Sequence, residues 1–188
     1  MSLFTPRLLQ ISTLALLAAP AAALDMDWQQ QALAKAVEFH QANLPETCAP
    51  LTSPLVAPLS FELQIGEESA ARQALMVQLP CRRTEDGESS VFLTSDQNGT
   101  VNRQSFSKPV LEDGAAKTFT EEFEVNNAVF DASSRTVVET VPLAGGGGTY
   151  TTTSWGYRDG RFHIMRFAVD ATEDGKDNPQ ILIDNDIW

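Results

Sequence analysis

The sequence predicts a mainly β, α+β fold: an antiparallel β-sheet meander, sandwich- or barrel-like, preceded by one N-terminal helix. Three observations predict it. Apolar residues recur at helical spacing only over residues 25–44, the period changes to two from Leu59 onward, and hairpin dipeptides stand between successive runs. Asn98-Gly99 and Asp159-Gly160 are the most legible of these turns, because asparagine, aspartate and glycine tolerate positive φ.

Before the helix, residues 1–23 have the layout of a cleavable signal peptide: a single charge at Arg7, an apolar stretch through Leu14–Ala19, a break at Pro20, then Ala21-Ala22-Ala23. Cleavage there leaves Leu24 first. The stretch is short of the roughly 20 apolar residues a membrane anchor needs. Residues 24–188 are then expected to form a single β-rich domain, exported to the periplasm or secreted, with no membrane insertion after cleavage.

In the helix expected over 25–44, Asp25 or Asp27 caps the start. Trp28, Ala32, Leu33, Ala36, Val37, Phe39, His40 and Leu44 share one arc, and Pro45 ends it. A proline-punctuated loop to Pro58 carries Cys48. Its only possible cysteine partner is Cys81, and an even count in an exported chain points to a Cys48–Cys81 disulfide. Closing a loop of about 34 residues would stabilise the fold by roughly 3–4 kcal/mol on the loop-entropy model.

Strands are expected over 59–65, 74–79, 90–95, 100–106, 123–130, 135–143, 149–157 and 162–169, with a last edge strand through Ile181, Leu182 and Ile183. Gly145 to Gly148 reads as a flexible turn rather than a phosphate loop. Such loops present amides at a helix N-terminus, and β-branched and aromatic residues follow here.

With 13 basic and 25 acidic residues the chain carries a net charge of −12, and losing Arg7 with the signal peptide takes it to −13. That charge repels nucleic acid and anionic membrane surfaces, so neither is an expected partner. It serves solubility, or it steers in a basic partner.

The run Leu79-Pro80-Cys81, the segment Ala128-Val129-Phe130-Asp131 turning into Arg135-Thr136-Val137, the glycines at 145–148 and the strand Trp155-Gly156-Tyr157-Arg158-Asp159-Gly160-Arg161-Phe162 together resemble an exported bacterial family, domain of unknown function 1176. The likeness is to the C-terminal half of its longer members and spans about residues 45–167. It implies an envelope location and a β-rich fold, and it transfers no catalytic residue. Family members often carry a second cysteine pair, which is missing here.

Four features were weighed as sites. His40 and His163 lack a nucleophile elbow to form a triad with, and His40 on the apolar arc reads as a core residue. Glu121 shares the phase of Phe119, Phe123 and Val125, so an inward phase would make it a general acid for glycoside hydrolysis; if the strand starts later, Glu121, Glu122 and Glu124 are all solvated. Asp170, Asp174 and Asp177 cluster around Gly175 as candidate calcium ligands, yet the position where a calcium loop needs glutamate is Ile181. Trp155 and Tyr157 share one strand face and, if exposed, would form a ligand or partner surface; the more polar opposite phase argues that they point into the core.

The resulting expectation is an exported envelope protein that is a non-enzymatic binding or interaction domain for an envelope protein or ligand, with no cofactor. A carboxylate hydrolase of envelope polymers and a small inhibitor of a basic enzyme are the alternatives.

Overall fold

The structure is a computed structural model that describes residues 27–48, 59–65, 72–84, 87–143 and 148–185. The expected signal peptide at 1–23 and Gly145–Gly147 lie outside the described residues.

One helix, α1 (Trp28–Asn43), opens the fold. Asp27 caps it by accepting the Gln29 amide at 3.0 Å, satisfying one of the helix's orphan donors. Ala32, Ala36 and His40 fall on the buried side, as the 3.6-residue period requires. Just past the helix, Cys48 is bonded to Cys81, with the sulfurs 2.04 Å apart, so the expected disulfide fastens the helix exit to the sheet.

The first sheet contains β1 (Leu59–Ile65), β2 (Arg72–Thr84), β3 (Gly87–Asp96) and β4 (Val101–Arg103) in that order, with the short β7 (Val125–Asn126) also on β3. All pairings are antiparallel. β2 and β3 have both faces covered, which explains why seven consecutive β3 residues are buried instead of alternating. Leu75, Val77, Leu79, Val91 and Leu93 pack under α1; Met76 and Phe92 point the other way. Pro80 is tolerated inside β2 because the register shifts there.

The second sheet is a meander of β8 (Val129–Asp131), β9 (Thr136–Pro142), β10 (Tyr150–Arg158), β11 (Arg161–Asp170) and β12 (Gln180–Asp184), with the C-terminal strand at its edge as expected. Asp159 and Gly160, at φ 51° and 82°, make the primed turn between β10 and β11. The two sheets face each other as a sandwich and are not closed into a barrel.

Between them lies an aromatic core. Phe106 stacks on Phe162 with centroids 4.6 Å apart and meets Trp155 edge-on at 5.2 Å, while Phe92 and Tyr157 close around them. Each such side chain contributes roughly 1.5–3 kcal/mol of burial, with ring geometry adding to it. Phe106 starts the hairpin β5 (Phe106–Glu112) and β6 (Ala115–Glu122), which forms its own two-stranded sheet.

Three expectations are corrected here. The single strand expected over 100–106 is two, because the chain leaves the first sheet at Gln104, whose amide bonds Phe92 O while Phe106 enters the core. The strand expected over 123–130 is split by Asn127, whose φ of 47° no strand accommodates. At Asn98-Gly99 only glycine takes positive φ, so the turn is not of the primed two-residue kind.

Candidate functional site

The first turns of α1 present Trp28, Gln31, Lys35 and Glu38 at intervals of three or four residues, which places them in one stripe beside the buried Ala32. Opposite stands the turn joining β3 to β4, Asp96 to Gly99. Between the two lies a groove of about 360 Å³, which Ala32 and Ala34 also line.

The turn is rigidly built. Asp96 Oδ1 accepts the amides of Asn98 at 2.9 Å and Thr100 at 2.8 Å, Gly99 N donates to Asp96 O, and Gln97 N donates to Gln73 O on β2. Gly99 at φ 79° brings the turn against the helix: a β-carbon there would stand 4.0 Å from Lys35 Cγ. On the other wall the Lys35 ammonium donates to Glu38 at 2.7 Å and holds its carboxyl below the usual range. Both side chains of that pair are more than half exposed, so it is a weak surface pair. Trp28, half-buried against the helix-side core, and the exposed Gln97 and Asn98 also line the space.

Trp155 and Tyr157 are in the aromatic core, 0 % and 4 % exposed, so the surface reading of this pair is corrected in favour of packing. Trp155 Nε1 donates to Ser107 O at 2.9 Å, which pins the β5–β6 hairpin to the second sheet. Burial pushes the Tyr157 phenol up to about 12, an effect the Thr94 hydroxyl opposes.

Glu121 is exposed on β6 opposite Ser107, and Phe119 and Phe123 in its neighbourhood are 51 % and 43 % exposed. Glu121 itself therefore faces solvent, although Val125 of the same phase is buried, and the inward general acid is ruled out by placement. The structure instead buries Glu139, 3 % exposed, which accepts Lys108 Nζ at 2.8 Å and Asn126 N at 2.6 Å. Glu122 reaches the same ammonium at 3.3 Å. Lys108 is thereby ion-paired with both carboxylates, the buried Glu139 and the half-exposed Glu122. Sequence reasoning missed this pair because Glu139 sits in an otherwise ordinary alternating strand.

Asp170 is buried and consumed locally, accepting Thr172 N and Oγ1 on one oxygen and Asn178 N on the other, contacts that lower its pKa. Asp174 accepts Lys176 N, and Asp177 accepts the Tyr150 hydroxyl, pushing that phenol up to about 12. These carboxylates cap their own loop, and the three do not converge within 4.8 Å. Among the described residues the one set that does converge is Cys48, Cys81 and Glu124, whose two sulfurs are already bonded to each other.

His40 is a core residue, 2 % exposed, with neither ring nitrogen in a full hydrogen bond. Burial lowers its pKa most, a contact with the Pro80 backbone opposes that, and the charge of Arg103 adds a smaller lowering. His163 instead accepts from Arg161 Nε at 3.3 Å on the second sheet, far in sequence and on a different layer from His40.

Comparison of the chain with models of known families, with curated proteins and with solved structures found no match.

Proposed function

We propose that this protein is an exported, non-enzymatic binding domain of the cell envelope, periplasmic or secreted, and that it holds a small polar ligand between α1 and the β3–β4 turn. The groove itself carries the proposal. It sets one half-buried indole among amide side chains on a turn braced by four hydrogen bonds, and its volume is within the roughly 300–1,000 Å³ of small-molecule sites. Such an arrangement offers stacking and hydrogen bonding to a small polar molecule, which suits binding.

The disulfide supports an oxidising destination, and no helix among the described residues is long and apolar enough to cross a membrane. Membership of the exported family that the sequence resembles belongs to the same reading. The site has moved from the β-sheet surface expected at Trp155 and Tyr157 to the helix side of the fold.

The test is a screen of small polar compounds against the isotope-labelled mature chain. Saturable amide shifts confined to Trp28–Glu38 and Asp96–Thr100 are expected. A screen in which those residues never respond, or in which responses centre elsewhere, overturns the proposal.

A further inference from the structure

We infer that the ligand of this groove is a neutral saccharide of one or two rings; the inference rests on the binding reading above and names its substrate class. Charge decides first. Lys35, the one cation lining the groove among the described residues, is already paired with Glu38, and Asp96 adds a further negative charge, so an anion is disfavoured here. The net charge of −12 adds a general penalty for anions.

The remaining chemistry is that of a sugar. Carboxamides such as those of Gln97 and Asn98 donate and accept at once, which matches a hydroxyl that does the same. Trp28 beside Ala32 and Ala34 offers the apolar face of a pyranose ring a surface to lie on, and the polar residues of the turn can meet its hydroxyl-bearing edge. Both walls stand on rigid elements, so little ordering entropy opposes a weakly held polyol. A volume of about 360 Å³ limits the enclosed portion to one or two rings.

The experiment titrates the mature protein separately with N,N′-diacetylchitobiose, cellobiose, maltose, choline chloride and sodium citrate, following amide and indole N–H shifts and tryptophan fluorescence. At least one disaccharide is expected to saturate, moving the Trp28 indole and the Gln97 and Asn98 side-chain amides. Asn98→Ala should weaken it about three- to tenfold, the effect of one hydrogen bond. Ala34→Trp, a change at an exposed position lining the groove, should abolish binding with the fold intact. Trp28→Ala should cost at least about tenfold, with the buried Trp155 reporting whether the core is retained. Saturation by choline or citrate alone, at the groove, overturns the saccharide and leaves the binding reading standing. Sugar binding indifferent to both Asn98→Ala and Ala34→Trp overturns the placement. Silence of the groove toward every probe overturns both.

Discussion

Gly87 and Asn127 are fitted to each other so closely that a β-carbon at position 87 would lie 1.9 Å from Asn127 Oδ1. Gly87 has φ 132°, where side chains are strained whatever the space, and Asn127 itself takes φ 47°. Asn127 Oδ1 accepts Glu88 N at 3.2 Å, and Asn127 N donates to Glu88 O at 2.8 Å. The pair forms the clasp that holds β7 on the start of β3. Gly87→Ala is expected to destabilise the protein by about 2–4 kcal/mol, combining backbone strain with the displaced hydrogen bond. Chemical denaturation checks it, and the cost should be smaller in an Asn127→Ala background, where the clash is gone. Equal costs in both backgrounds would place the whole effect in the backbone of Gly87.

The Cys48–Cys81 bond closes a span of 33 residues between the helix exit and β2, with both cysteines buried. Replacing both by serine is expected to remove about 3–4 kcal/mol, chiefly by freeing the unfolded chain. Denaturation with and without reductant measures it. Thiol labelling of the oxidised protein under denaturing, non-reducing conditions should find no free thiol, and labelling of two would remove the bond from the native protein.

Most of the strand pattern was legible because the alternation of apolar residues survives wherever a strand has one wet face. β9 is such a strand: Val137 and Glu139 are buried while Val138 and Thr140 are exposed. The β5–β6 hairpin was missed although Asp113-Gly114 carries the same turn signal as Asp159-Gly160 and adopts the same positive φ values. Its strand β6 is exposed at nearly every residue, so no buried phase marked it as a strand. Cysteine parity foretold the disulfide, and the helical arc foretold that His40 is core. The groove was not legible, since it is made by two segments some 60 residues apart. Trp28 and Gln97 share no local pattern; only the docking of α1 on β3 brings them together.

His40 gives the fold a dependence on mildly acidic pH. Its pKa in the folded state lies below the ordinary 6.5, burial being the largest cause and the charge of Arg103 acting in the same direction. Below 6.5 the unfolded chain therefore binds a proton that the native state refuses, so stability is full above that value and falls as the pH descends toward the folded pKa. Denaturation midpoints of the native protein should drop between pH 7 and 5, whereas those of His40→Leu, which buries no polar atom, should stay flatter. Parallel curves would remove His40 as the cause. A separate loss belongs to lower pH. Asp131, held at about 2 by Ser133 and Ser134, and Asp170, lowered by Thr172 and Asn178, contribute stability above the ordinary 3.8 that disappears as they take up protons.

Lys108 and Glu139 tie the β5–β6 hairpin to the second sheet from a buried position. Glu139 is 3 % exposed and has two donors, the Lys108 ammonium and the Asn126 amide. Lys108→Met leaves the carboxylate with only the amide, and an uncompensated buried charge of this kind costs about 3–5 kcal/mol. Glu139→Gln in the same chain removes the charge while keeping an oxygen for Asn126 N, so the double variant should recover most of the loss. Urea denaturation of the four proteins in that cycle gives the coupling. Hydrogen exchange should locate the damage in Lys108→Met to Phe106–Glu122 and leave the amides of β2 and β3 protected, because neither residue belongs to the helix-side core that holds those strands. Uniform loss of protection across both sheets would mean that the hairpin and the sandwich unfold as one unit, and that the ion pair fastens the whole core.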